Sequence, residues 1–374
     1  MKRVLALVLG LLAVSGSPAG AAPAAAPKCP VQSVNGTPAA VISSLQKGFN
    51  LPGWLDQSRP RRPDRALLEA LAKAGFTHVR LPFEPQLVLT NFEKGFLNEL
   101  DLALDQLIEL GFTISLDNHP GARFTEGYEE KPDEGYGRLL RAWMAVADHV
   151  KSRSREKVFF ELWNEPQISP GLWRAHATKL ITALRASDPE RTIIFGDAPF
   201  QRYDALIAER PLPFTNVVYA VHFYDPMTFT HQGAEWMKGS PVSYLRGVPF
   251  PSQANDPRVE KLKAGLASAG HTEALDVLAD QYDTPWTKER ITAEFARTGD
   301  WAKSHGVHII VNEFGVLRGA APTEDRLAWL KAVRQAAETY CMGWTHWELL
   351  DGFGFVGADG RTLDTGVAEA LLTP

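Results

Sequence analysis

Phe159-Phe160-Glu161-Leu162-Trp163-Asn164-Glu165-Pro166 is an apolar run that ends abruptly in an amide, a carboxylate and a proline. A stretch rich in Phe, Val and Trp, bounded by polar and Pro signals, reads as a strand covered on both faces. Glu165 then sits where the strand leaves the core. In an α/β barrel that C-terminal rim is where catalytic side chains are mounted, so position matters as much as residue type. A helix-capping or surface Glu beside a turn proline would read the same way. An Asn-Glu-Pro match arises by chance in roughly a few per cent of chains of this length. The rest of the chain therefore has to decide.

On either side of this stretch, short β-rich runs alternate with longer patterns whose apolar residues recur at three and four spacing, the signature of repeated βα units. Strands are expected at Gly48 to Leu51, Thr77 to Phe83, Phe112 to Asp117, Val158 to Trp163, Thr192 to Gly196, Val217 to Phe223, His308 to Asn312 and Met342 to Glu348. The run from Pro63 to Leu71 opens with a helix-starting proline, carries Leu on one stripe and ends at Gly75. Gly75-Phe76-Thr77 and Gly111-Phe112-Thr113 repeat one helix-stop, strand-start grammar. Eight such units in roughly 250 to 350 residues have the size of one (β/α)8 TIM barrel with insertions. One gap breaks the rhythm: about sixty residues separate Phe223 from the helix expected near Thr287, far more than a βα loop needs. This insertion after strand six holds Trp236, Tyr244, Phe250, Tyr282 and Trp286, with a helical pattern from Arg258 to Tyr282. Its place on the catalytic rim and its aromatics suggest a wall of the cleft, against the alternative of a solvated ornament.

The chain has 374 residues, 45% hydrophobic and 22% charged, which is ordinary globular composition and ample for a large core. Met1-Lys2-Arg3, the apolar run Val4 to Val14 and the following small residues have the layout of a secretory signal peptide, with Ala19-Gly20-Ala21 as a cleavage site and Ala22-Pro23-Ala24 as a later alternative. The apolar run is too short to span a bilayer, and no second one follows. The expected organisation is a signal peptide at 1–21, an Ala/Pro-rich linker and N-terminal segment at 22–40, and one catalytic domain at 41–374. The product would be a secreted or periplasmic monomer without membrane attachment. A net charge of −5, with no basic cluster beyond Arg59, Arg61 and Arg62, gives no footprint for nucleic acid and suits an uncharged substrate. Cys29 and Cys341 exclude a disulfide scaffold and a multi-Cys metal site. Export permits a bridge between them, but Cys341 lies beside an apolar strand and could equally be a buried thiol.

Polar residues cluster at the C-terminal ends of the expected strands. Strand two ends Arg80-Leu81-Pro82, strand three Asp117-Asn118-His119 and strand four Asn164-Glu165. Strand six carries His222 and Tyr224, strand seven ends Asn312-Glu313-Phe314-Gly315, and strand eight carries Trp344, Trp347 and Glu348. Two carboxylates thus emerge at the same end of one barrel, as acid/base work on a neutral substrate requires. With these motifs the stretch from about Gly48 to Phe355 resembles clan A glycosidases, and most closely glycoside hydrolase family 5, in its bacterial cellulase-like members. His222-Phe223-Tyr224-Asp225-Pro226, continuing from Phe229 to Trp236, carries that last likeness, whereas the insertion from about Val248 to Tyr282 is longer than in simple members. The resemblance implies that Glu165 is the general acid/base and Glu313 the nucleophile. It also implies that Arg80, His119, Asn164, His222, Tyr224 and Trp347 line the glycone subsite, with no cofactor and no metal. The implied activity is a retaining endo-β-glycosidase on β-1,4-glucan, cellulose-type or mixed-linkage, with β-mannan and β-1,3-glucan as alternative polysaccharides.

Residue chemistry agrees with those roles. Retention needs one carboxylate to attack the anomeric carbon and a protonated partner about 5 to 5.5 Å away to protonate the leaving oxygen. Arg80 would hold Glu313 ionised, and that anion would help to keep Glu165 protonated. Asn164 offers an amide to the sugar 2-hydroxyl, and Tyr224 can donate to the nucleophile. Each also has a structural reading: Arg80 in a buried ion pair, His119 and His222 as satisfied histidines, Trp347 in the barrel core. Trp54, Trp163 and Trp344 read as packing or outer-subsite residues, and neither Asp197 nor Asp225 has an identifiable catalytic partner. Two rival functions remain: a metal-dependent hydrolase in which His119, His222 and Asp117 meet at the rim, although no compact ligand pair is present, and a non-catalytic sugar-binding barrel.

Overall fold

The computed structural model describes residues 29, 32–91, 95–253, 256–357 and 359–373. The signal peptide expected at 1–21 and the Ala/Pro-rich tract that follows it, to Pro27, lie outside the described residues. The strands are β1 (Gly48–Asn50), β2 (His78–Phe83), β3 (Thr113–Asn118), β4 (Val158–Glu161), β5 (Ile193–Gly196), β6 (Val217–His222), β7 (His308–Glu313) and β8 (Gly343–His346). All pair in parallel, in sequence order, and β8 closes on β1 to complete a (β/α)8 barrel. Every expected strand is present, differing only at its ends.

The two-residue period of a strand decides what faces where. Val79 and Leu81, Ile114 and Leu116, Val158 and Phe160, and Ile309 and Val311 point outward and join the large core beneath the helices. The alternate positions point into the barrel. Phe159, Ile194, Val218, Ala220 and Ile310 fill its lower part with Val41 and Leu45, which come from the helix Ala39–Ser44 and the residue after it. Two residues further along the same strands the interior becomes polar: Phe159 gives way to Glu161 and Ile310 to Asn312, while on β2 Arg80 follows His78, all at most 1% exposed. One turn of the strand pleat thus separates a dry plug from a layer of charge.

Local signals act as read, with one adjustment. The helix Arg65–Ala74 is capped by Asp64, whose carboxylate accepts the Ala66 N–H at 2.9 Å, and Pro63 stands just before that cap. Gly75 ends it at φ 105°, a left-handed conformation that side chains resist. Between β6 and β7 the register shifts after Val221, so that His222 lies opposite Glu313 instead of Asn312. This bulge brings both side chains to the rim together.

The insertion after β6 is built from short helical segments. The helical pattern from Arg258 to Tyr282 breaks at Gly270 (φ 76°) into helices Pro257–Ala269 and Thr272–Asp283. They share a small core of Leu245, Val248, Val259, Leu266, Ala274, Leu278 and Tyr282. Of the five aromatics that suggested a cleft wall, Phe250, Tyr282 and Trp286 are buried, and only Trp236 and Tyr244 are exposed. Tyr282 packs the insertion's own core, whereas Phe250 and Trp286 join the large core of the barrel. Trp54, Trp163 and Trp344 are likewise packing residues, each at most 1% exposed.

Cys29 and Cys341 form a disulfide with their Cα atoms 5.4 Å apart, fastening the segment before the barrel to the turn that leads into β8. Among the described residues no helix is long and apolar enough to cross a membrane.

Candidate active site

Arg80, midway along β2 and fully buried, is the hub of the charged layer. Its Nε and Nη2 donate to Glu161 at 2.8 and 2.9 Å, a two-pronged pair. Nη2 also donates to Asn164 Oδ1 at 2.8 Å and lies 3.0 Å from Asp117 Oδ2. Nη1 donates to Asn50 Oδ1 at 2.9 Å and to Glu313 Oε1. Burial works against this charge, but Asp117, Glu161 and Glu313 outweigh it, and the guanidinium is held well above its ordinary range. Only Arg, with a planar fork of five donors, can address so many acceptors at once.

Glu313, the last residue of β7, accepts from Arg80 through Oε1 and from the Tyr224 hydroxyl through Oε2 at 2.9 Å. Glu165 leaves the end of β4 with φ 47°, and its Oε1 meets His222 Nδ1 at 2.8 Å. Burial pushes its carboxyl up to about 7, against the pull of the Arg80 charge. One third of the side chain remains exposed, and water there moderates the rise. Burial pushes His222 down to about 4, so it is a neutral ring whose Nδ1–H donates to Glu165, and the contact is a hydrogen bond instead of an ion pair. With Oε1 so engaged, Oε2 of Glu165 is left for a proton facing the cleft.

His119 presents two demands that disagree. Burial opposes its charge, but the adjacent Asp117, 2.8 Å from Nδ1, pushes the ring up to about 9. Asn164 decides the matter, because its oxygen already faces Arg80 and its amide therefore faces His119 Nε2 at 3.2 Å. An amide N–H needs a lone pair there, so the resting ring is neutral with its proton on Nδ1. The same ring lies parallel to Trp347, with centroids 5.6 Å apart and planes 17° from parallel, which fixes the half-buried indole across the mouth from Glu165. All eight residues expected at the site are thus gathered at one end of the barrel. The trio His119, His222 and Asp117 of the metal-dependent alternative is not: His222 faces the two glutamates instead.

Glu165, His222 and Glu313 do place one donor atom each within 4.8 Å of one another and could surround a cation. Arg80 is already bonded to Glu313 there, and its fixed positive charge would oppose a second one. The pairing suits a proton-transferring pair of carboxyl groups better than a metal.

Glu161 and Gln201 are the site residues that pattern reading passed over. Glu161 looks like part of an apolar run, yet it points inward one layer below Glu165. Burial pushes it up to about 7, but all the groups meeting its oxygens are donors: Arg80 twice, Asn312 Nδ2 at 2.7 Å and Gln201 Nε2 at 3.3 Å. A proton there would face another N–H, so the hydrogen bonds select the carboxylate. An acidic residue at an inward strand position, paired with an Arg two strands away, was the available signal. Gln201 accepts the Glu165 backbone N–H at 2.8 Å from a loop with no sequence signature.

A parallel (β/α)8 barrel with an arginine-held carboxylate and a raised-pKa carboxyl across its C-terminal mouth has the makings of a two-carboxylate hydrolase. The cellulase model, glycosyl hydrolase family 5, matches residues 34–349, and the chain belongs to that family. Endoglucanase 3 of Fibrobacter succinogenes is 30% identical over 355 residues, covering 87% of this chain and 52% of that protein, so the chain spans about half of that relative's length. Endoglucanase C of Acetivibrio thermocellus is 26% identical over 324 residues, covering 81% of this chain and 91% of the relative. Among solved structures, a hyperthermophilic endo-β-1,4-glucanase in complex with substrate superposes with a TM-score of 0.72 at 21% identity, covering 91% of this chain and all of that one. Cel5A of Thermotoga maritima, solved with mannotriose, gives 0.71 at 24% identity, covering 88% and 98%.

Proposed function

We propose that this chain is an exported, retaining endo-β-glycosidase that hydrolyses β-1,4-glucan, with Glu313 as nucleophile and Glu165 as acid/base. The observation that carries the reading is the pair of carboxyl groups whose oxygens approach within 4.8 Å, in opposite environments. So short a separation suits direct attack by the second carboxylate, whereas inversion needs about 6.5 to 9.5 Å to admit a water beside the sugar. Arg80 and Tyr224 donate to Glu313, while burial favours the proton on Glu165. Glu313 attacks the anomeric carbon as the glycosidic C–O bond breaks, and Glu165 gives its proton to the leaving oxygen. Glu165 then takes a proton from water, whose oxygen displaces Glu313 from the sugar. Asn164, fixed by Arg80 and His119, presents its amide beside the reacting sugar, and Trp347 supplies an aromatic face for the ring. The names of the curated relatives favour glucan over mannan or β-1,3-glucan as the polymer.

The test is reducing-sugar release from soluble β-1,4-glucan, mixed-linkage glucan, β-mannan and β-1,3-glucan, with and without EDTA. Proton NMR should show the β-anomer of the new reducing end first, and the rate should not respond to chelation. Glu313→Ala should lose several orders of magnitude on any substrate, whereas Glu165→Ala should spare substrates with activated leaving groups. With azide, the Glu165 variant should give a β-glycosyl azide. Initial appearance of the α-anomer would refute retention, and an α-azide from the Glu165 variant would mean that the two roles are exchanged.

A further inference from the structure

Two groups have to stay in place for Glu165 to hand over a proton: its own backbone, and the His222 ring that occupies its Oε1. One residue on the loop after β5 holds both. The Gln201 side chain accepts the Glu165 N–H through Oε1 at 2.8 Å, and the Gln201 backbone carbonyl accepts the His222 N–H, also at 2.8 Å. The His222 ring in turn meets Glu165 Oε1 at 2.8 Å, which closes a circuit of three residues. On its other side Gln201 Nε2 donates to Glu161 at 3.3 Å, and Arg80 joins Glu161 to Glu313. Gln201 thus ties the turn that carries Glu165 to the arginine-held layer beneath it.

The bracket is strained. Glu165, Phe200 and Gln201 have φ of 47°, 57° and 51°, three left-handed residues without a glycine. Strain of this kind persists only where surrounding contacts impose it. Here Gln201 is fully buried, its N–H donates to Asp197 O at 2.9 Å, and the next residue, Arg202, pairs with Asp225 at 3.3 Å, locking the loop to the end of β6. Space for the side chain comes from Gly196 at the end of β5, where a Cβ would fall 2.1 Å from the Gln201 amide nitrogen and 2.2 Å from its Cγ. The residue type follows from the two contacts, since an amide carries on one planar group an acceptor for the Glu165 N–H and a donor for the Glu161 carboxylate.

We infer that Gln201 is a positioning residue for proton delivery: it fixes the left-handed turn at Glu165 and the place of the His222 ring, so that the free oxygen of Glu165 faces the leaving group. Release of the Glu165 N–H lets that turn relax toward an ordinary φ, and the carboxyl carried on it leaves the reach of His222 Nδ1. Glu313 keeps its bonds to Arg80 and Tyr224, so nucleophilic attack is not what suffers. The loss falls on the proton transfers of Glu165, where a small misplacement of a donor slows the reaction steeply.

This inference rests on the β-glucanase reading, and the test separates the two. Values of kcat/KM, which report the chemistry up to departure of the leaving group, are measured on cellotetraose and on 2,4-dinitrophenyl β-cellobioside. The chains are the parent, Gln201→Met, Gln201→Glu and Gly196→Ala, each checked for folding by circular dichroism. A sugar cannot depart without a proton, whereas dinitrophenolate needs little help. The ratio of kcat/KM, tetraose over dinitrophenyl substrate, should fall roughly tenfold to a hundredfold in Gln201→Met, which keeps the length of the side chain and loses both bonds. It should fall likewise in Gly196→Ala, whose new methyl displaces the Gln201 amide. In Gln201→Glu at about pH 5 it should recover, since a protonated carboxyl there can both accept and donate. A ratio unchanged in Gln201→Met or, should that chain not fold, in Gly196→Ala would overturn the positioning role. So would an equal slowing of both substrates, the mark of a merely structural residue, or a ratio in Gln201→Glu as low as in Gln201→Met. A folded parent that cleaves neither substrate would overturn the β-glucanase reading together with the inference.

Discussion

Replacing Glu161 by Gln keeps the shape of the side chain and exchanges one acceptor oxygen for an N–H donor. Whichever way the amide turns, it meets a donor: Arg80 Nε at the Oε2 position, or Arg80 Nη2, Asn312 and Gln201 at the Oε1 position. No water can relieve the conflict, since Glu161 and Arg80 are both fully buried. Removing one partner of a buried, hydrogen-bonded pair costs about 3–5 kcal/mol. Asp117 and Glu313 still face Arg80, so the lower end, about 3 kcal/mol, is expected for Glu161→Gln. With the large urea dependence of a chain this long, that lowers the midpoint by roughly 1 M. Equilibrium urea unfolding at pH 6, followed by Trp fluorescence, measures it. A Glu161→Gln chain within about 0.5 kcal/mol of the parent, the usual effect of a neutral substitution, would refute the argument, because it would mean that Glu161 already carries a proton.

Two further outcomes concern stability. Burial holds His222, His231 and His308 near 4 and His78 near 3, so on unfolding each takes up a proton wherever the pH is below its ordinary value, and stability rises with pH from about 4 to about 6.5. Burial raises Glu165 to about 7 and Glu348 to about 8, so the folded chain keeps protons that the unfolded chain releases, and these two erode stability from about pH 4.5 upward. Of these groups the four histidines outnumber the two acids below 6.5 and fall silent above it, so their combined contribution to the urea midpoint peaks near pH 6.5; a contribution from these six groups still climbing at pH 8, read from the midpoints of variants lacking them, would contradict this. Replacing Cys29 and Cys341 together by Ser opens a loop with a sequence separation of 312 residues, and should cost up to about 5 kcal/mol by chain entropy. Because the bridge lies before β8, at the end away from the glutamates, the rate of the folded double variant should match the parent, and a slower rate would reveal a longer reach than the fold suggests.

The barrel was legible because its units punctuate themselves. Gly75 and Gly111 stop helices in a left-handed conformation that other residues avoid, and β-rich runs follow each at once. Glu165 and Glu313 were legible for a related reason: a polar group at the end of an apolar strand has few structural uses. Glu161 hides inside its apolar run because its partner, Arg80, is 81 residues away, and alternation alone cannot name a partner. The aromatics of the insertion were ambiguous in sequence, since a ring that packs against Leu266 or Leu278 and a ring that faces a cleft have the same composition. Cys29 and Cys341 were open for the same reason: only their separation in space distinguishes a bridge from a thiol.

The route by which Arg80 meets its partners has a bearing on how the chain acquires activity. The contacts with Asn50, Glu161 and Glu313 span 30, 81 and 233 residues, and β7 must be seated beside β8 and β6 before the last of them exists. Half a barrel could hold Arg80 against Glu161 yet would lack Glu313, and the other half would hold Glu313 without its guanidinium. Turnover is therefore an all-or-nothing gauge of ring closure. Regain of hydrolysis during refolding will trace the slowest, most non-local step, while circular dichroism registers the earlier local helices.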